Sequence, residues 1–121
     1  MSTPVGPYSP TVRAGDWLVV SGQVGLGTDG LPDGFAPQLT QALENLRGHV
    51  EKAGLTLSQV AKTTVFLITM DDYAEMNAIY TEFFDQHGGG HRPARSAVAV
   101  AALPIGAVVE IEAWVFAAGP R

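Results

Sequence analysis

The spacing of apolar residues changes along the chain, and each change marks an element. Trp17-Leu-Val-Val opens an apolar run to Val24, and Tyr8–Arg13 precedes it across Ala14-Gly15-Asp16. Two such runs around a tight turn predict a β-hairpin. Gly25 to Gly34, rich in glycine with Pro32, Asp29 and Asp33, predicts a loop. From about Pro37 to Ala53 the period becomes helical. Leu39, Leu43, Leu46 and Val50 fall on one face, and Gly54 stands where a helix-ending glycine belongs. Val60 to Thr69 is β-branched on both faces (Val60, Thr63, Thr64, Val65, Ile68), as in a central strand. Asp71 or Asp72 is placed to cap a second helix with the stripe Tyr73, Met76, Tyr80, Phe83 and Phe84, ended by Gly88-Gly89-Gly90. Two final strands, Ala94–Leu103 and Val108–Phe116, are joined at Pro104-Ile105-Gly106.

The order β-β-α-β-α-β-β predicts an α+β fold in one domain, 1–121, with both helices packed on one face of a single sheet. The last strand bears on the other face. Its alternation puts Val109, Ile111, Ala113 and Val115 on one side and Glu110, Glu112, Trp114 and Phe116 on the other. A solvated face seldom carries Trp and Phe, and the preceding strand is apolar on both sides. Burial of that face by self-association is expected, giving a homo-oligomer with polar groups at its seams.

Composition narrows the partners. A chain of 121 residues is long enough for one real core. The net charge is −5, and only Lys52 and Lys62 join the arginines, so no stretch can neutralise a row of phosphates. Neither nucleic acid nor an anionic membrane is an expected partner. The absence of cysteine excludes disulfides, thiolate nucleophiles and Cys-ligated zinc. MSTPVGPYSP has neither a basic start nor an apolar core, and no window resembles a membrane span, so a soluble, cytoplasmic protein is expected.

Most candidate chemistry reads as ordinary structure. His87 and His91 are separated by glycines that break the helix needed to align them, so no metal site is expected. The same glycine run has no following Lys-Ser/Thr, which argues against a phosphate loop. Ser21, in Val-Val-Ser-Gly-Gln, is not a nucleophile elbow. Glu110 and Glu112 fit a solvated strand face, and Asn77 a solvated helix surface. Arg95 is different. It stands at the mouth of an apolar strand, where a guanidinium is either costly or useful.

Arg92-Pro93-Ala94-Arg95-Ser96, followed by Leu103-Pro104 and Val109-Glu110-Ile111-Glu112, resembles the carboxy-terminal signature of the reactive intermediate deaminase family (RidA, YjgF). Gly6-Pro7-Tyr8-Ser9, Ser21-Gly22-Gln23, Gln41 to Leu46, Lys62 to Leu67, and Met76 to Tyr80 with Phe83-Phe84 match in the right order. The resemblance covers nearly the whole chain.

It implies a chorismate-mutase-like fold and a homotrimer with a barrel of sheets inside, helices outside and clefts between subunits. The implied activity is hydrolysis of enamines and imines, chiefly 2-aminoacrylate and related 2-imino acids, to 2-keto acids and ammonia, with no cofactor. Arg95 would hold the substrate carboxylate, and Glu110 would position the water and manage protons. Tyr8, Ser21, Gly22, Asn77 and Ala97 would border the ligand. Ala97 stands where the family often has cysteine, so only its backbone is left a role. Two other readings are a non-catalytic trimer binding small carboxylates such as 2-keto acids, with a sensor or chaperone-like role, and an endoribonuclease or translation inhibitor. The acidic charge disfavours the last.

Overall fold

The computed structural model describes residues 4–118, so the first and last three residues of the expected domain lie outside it. The elements are β1 (Thr11–Ala14), β2 (Trp17–Val24), α1 (Phe35–Lys52), β3 (Val60–Leu67), α2 (Tyr73–His87), β4 (Ala94–Ala99) and β5 (Val109–Phe116). They form one five-stranded sheet in the order β1-β2-β5-β3-β4. The β3–β4 pair is parallel and the others are antiparallel. A parallel pair needs a long crossover, and α2 supplies it.

The predicted helical face of α1 is the core: Leu39, Leu43, Leu46 and Val50 have no exposure at all. They pack with Met76, Tyr80, Phe83 and Phe84 of α2 against Leu18, Val20, Val65, Leu67 and the Val109–Val115 side of β5. Gly54, at φ 81°, ends α1 with the paired bonds Leu55 N–H to Val50 O and Gly54 N–H to Glu51 O. This is the Schellman arrangement, in which a left-handed glycine lets the chain turn back on the last carbonyls. Tyr73 does not join the core stripe. It is 39% exposed at the first position of α2.

Several boundaries differ from expectation. The first strand is Thr11–Ala14, not Tyr8–Arg13, because Pro7 and Pro10 have no N–H to give a ladder. The turn is then the two residues Gly15-Asp16, with Gly15 at φ 58°. The fourth strand ends at Ala99 rather than Leu103. Its parallel partner β3 itself ends at Leu67, and the last bond between the segments is Val100 N–H to Leu67 O. Neither Asp71 nor Asp72 caps α2 through its side chain. A 3-10 turn, Met70–Asp72, runs directly into the helix, and Thr69 Oγ1 accepts the Asp71 N–H at the head of the whole segment.

The sheet face away from the helices is only partly covered by the chain's own atoms. Val12, Val98 and Trp114 are all more than two-fifths exposed, and Trp114 stands edge-on to Trp17.

The loop before β5 holds a further irregularity. Ile105 has φ 55°, the one non-glycine residue at positive φ among those described, and its side chain is half-exposed. Left-handed backbone costs an L-residue about 1–2 kcal/mol, and a β-branched side chain is among the least tolerant. Asparagine accepts this conformation. Ile105→Asn is therefore expected to raise unfolding stability by about 0.5–1 kcal/mol, read as a higher urea midpoint at an unchanged slope.

Candidate functional site

The sequence-predicted residues fall into two groups. The first surrounds Glu110 on the bare side of β5. The pairing of β2 with β5 shifts between Val20 and Gln23, so Ser21 and Gly22 form an irregularity beside the glutamate. Ser21 is tied to the amino-terminal segment twice: its N–H donates to Pro10 O (2.9 Å) and its hydroxyl to Ser9 O (2.7 Å). These bonds hold Tyr8 near the strand, where it lines a cavity of about 580 Å³ with Ser21, Gly22, Pro104, Glu110 and Glu112.

Gly22 is where the approach is closest. A Cβ built on it would stand 2.5 Å from Glu110 Oε1 and 2.7 Å from its Cδ. The Glu110 carboxyl is thus laid on bare backbone. Burial pushes its pKa above the ordinary carboxylate value, and the charge of Glu112 adds to the rise.

The second group surrounds Arg95. β4 pairs Arg95 with the fully buried Thr63, so the arginine lies on the helix side of the sheet's edge, under α2. Nη1 donates to Met76 Sδ (3.4 Å) and Nη2 to the Tyr73 hydroxyl (3.3 Å). The guanidinium carbon is 5.0 Å from the centre of the Tyr80 ring, whose hydroxyl is held by Thr63 Oγ1 at 2.7 Å. Aromatic faces and a thioether steady a cation without neutralising it. Among the described residues, no carboxylate lies within ion-pair distance of Arg95.

Asn77 follows Met76 on α2, and its Oδ1 is buried with no hydrogen-bond partner among the described residues. It is half-buried, not the solvated surface residue that helix position alone suggests. Ala97 is half-buried two residues beyond Arg95.

The two groups do not meet within one chain. Glu110 faces away from the helices and Arg95 faces toward them, and β3 separates their strands. Sequence reading missed the cradle of Arg95. Tyr73, Met76 and Tyr80 carry the helical spacing of a core stripe, and nothing in that spacing distinguishes a side chain packed on a cation. His87 and His91 diverge, His87 toward Glu44 and His91 toward Val60 O. Among the described residues, no three His, Asp or Glu side chains gather as a metal site, and no helix is long and apolar enough to cross a membrane.

Residues 1–117 match the family described as endoribonuclease L-PSP. A RutC family protein of Pyrococcus horikoshii is 42% identical over 113 residues, 91% of this chain and 86% of that protein. The 2-iminobutanoate/2-iminopropanoate deaminase of Escherichia coli is 41% identical over 111 residues, covering 90% and 86%. The crystal structure of the YjgF gene product from E. coli superposes with a TM-score of 0.88 at 40% identity, over 93% of this chain and 90% of that one.

Proposed function

The chain belongs to the endoribonuclease L-PSP family, also called RidA or YjgF, and on that premise we propose that it is an imine deaminase whose site forms between two copies of the chain. The observation that carries the reading is the split arrangement. An unneutralised Arg95 on one edge and a Glu110 carboxyl of raised proton affinity on the opposite face are complementary halves of a site for a small carboxylate with a reactive carbon. A head-to-tail contact that joins unlike patches closes into a ring where its rotation allows, and the homotrimer that family resemblance implies would cover the bare sheet face. The exposed Val12, Val98 and Trp114 support that burial.

The proposed substrates are 2-iminopropanoate, to which 2-aminoacrylate tautomerises, and related 2-imino acids. The Arg95 fork grips the carboxylate through two charge-assisted hydrogen bonds. The Glu110 carboxylate takes a proton from water as the water oxygen bonds to C2 and the C=N electron pair moves to nitrogen. Protonated Glu110 then gives that proton to the nitrogen. As the hydroxyl oxygen closes to the ketone, its proton passes through Glu110 to the nitrogen, and the C–N bond breaks with its pair on nitrogen, which leaves as ammonia. Imino acid and water become 2-keto acid and ammonia with no redox step, so the reaction calls for no cofactor. Tyr8, Ser21 and Gly22 border the ligand from the Glu110 side, and Asn77 and Ala97 from the Arg95 side. The cytoplasm, where pyridoxal-phosphate enzymes release such intermediates, is the proposed compartment.

The endoribonuclease name suits this chain poorly, because a net charge of −5 repels a phosphate backbone. A carboxylate-binding trimer without catalysis would use the same Arg95. The raised proton affinity of Glu110 favours the enzyme.

Mixing tests the split site. Arg95→Ala and Glu110→Gln proteins are each expected to be nearly inactive in ammonia release from 2-iminopropanoate. Unfolding and refolding them together in equal amounts should restore about a quarter of the wild-type sites, since random rings place an intact Arg95 beside an intact Glu110 at that frequency. No recovery in correctly assembled mixed rings would rule out a site shared between copies.

A further inference from the structure

Glu112 has no assigned role, yet it lines the same cavity as Glu110 and lies on the same face of β5, two residues along. Strand geometry puts the α-carbons of such a pair about 7 Å apart. Thr64 stands opposite Glu112, and Phe66 and Val24 stand opposite Glu110, so neither flanking strand sets a charge against either position. The nearest cation on this face by register is Lys62, opposite Trp114, and among the described residues no ion pair joins it to either glutamate. Tyr8 is the other titratable group on the cavity. In the ring proposed above, Arg95 of a second copy also faces Glu110.

We propose that Glu112 is a positioning residue for deamination, its carboxyl two residues along the same strand face tuning Glu110 so that one carboxyl can both take a proton from water and return it to the departing nitrogen. The proposal rests on the deaminase reading. Arg95 alone would draw Glu110 toward the fully ionised state, in which it accepts a proton poorly and has none to return. A second carboxylate held on the same strand face opposes that pull. Unlike a buried ion pair, it does so without tying up the Glu110 oxygens that must face water. The upward displacement of Glu110, caused first by burial and then by Glu112, agrees with this geometry.

The test titrates Glu110 directly. Carboxyl carbons of labelled glutamate are followed by NMR across pH, with Glu110 assigned through Glu110→Gln. In Glu112→Gln the Glu110 midpoint is expected to fall, and the acid limb of kcat/KM should move to lower pH with it. Glu112→Asp, which keeps the charge, should leave both near their original positions. Glu112→Thr, suited to a strand, gives the same readout if the glutamine variant does not assemble. A simple structural role would alter assembly without moving the midpoint. Turnover by the unsubstituted protein is measured alongside. If turnover is present but the midpoint stays put in a folded, uncharged variant, the role of Glu112 is refuted and the deaminase reading stands. If no imino acid is hydrolysed, both fall.

Discussion

Arg95→Ala is expected to lower kcat/KM for 2-iminopropanoate by about 10²–10⁴-fold. The figure comes from two charge-assisted hydrogen bonds at about 1.5–3 kcal/mol each, with about 1.4 kcal/mol per factor of ten. In the proposed site the carboxylate is gripped in ground state and transition state alike, so most of the loss should appear in KM. A smaller part falls on kcat, because a substrate held at one end only presents C2 less accurately. Arg95→Lys keeps the charge but not the planar fork, and an intermediate loss of about 10–100-fold is expected. The cradle of Tyr73, Met76 and Tyr80 touches the guanidinium itself, so each variant is also checked for secondary structure and assembly. Equal activity of the alanine variant in a correctly assembled protein would remove Arg95 from the substrate.

Gly22→Ala is expected to lower kcat by about 10²-fold or more, the range that loss of a positioned acid–base group gives, while changing stability little. The added methyl would meet Glu110 Oε1 at 2.5 Å, so one of them must move. The carboxyl is the end of a flexible side chain and yields first. Gly22 is not among the glycines at positive φ, so its backbone can carry alanine without strain. The substitution therefore acts on the placement of Glu110 while leaving the fold intact. Two further measurements identify the cause. Binding of a 2-keto acid, proposed to depend on Arg95, should be nearly unchanged. The double variant Gly22→Ala with Glu110→Gln should be no slower than Glu110→Gln alone, because both changes remove the same group from its place. Additive losses would show that Gly22 acts on the reaction by another route.

These two residues differ in how far the sequence exposes them. Arg95 stands out in any reading of its neighbourhood, since a cation at the mouth of an apolar strand needs an explanation. The ligand proposed for it and the roles proposed for Tyr8, Ser21 and Asn77 are legible only through family resemblance, because no spacing along the chain relates positions so far apart. Gly22 carries no local signal for what it does. Its close contact with Glu110 arises from an irregular pairing of β2 with β5, and strands that far apart in sequence meet only in the folded sheet.

Local order determines which elements form and most of the core, but not every boundary. The Leu39–Val50 stripe, the alternation of Val109 to Phe116, Gly15 in its turn and Gly54 at the end of α1 each answer to a neighbour within a few residues. The physical constraint there is a repeat of 3.6 or 2, or a backbone angle open to glycine. Tertiary structure decides what those periods leave open. β5, last in the chain, inserts between β2 and β3, and β4 runs parallel to β3 and stops when its partner stops. That arrangement sends Arg95 to the helix side and Glu110 to the bare side. Facing in a strand depends on register as well as alternation, and register is set by hydrogen bonds between segments that the linear order does not pair.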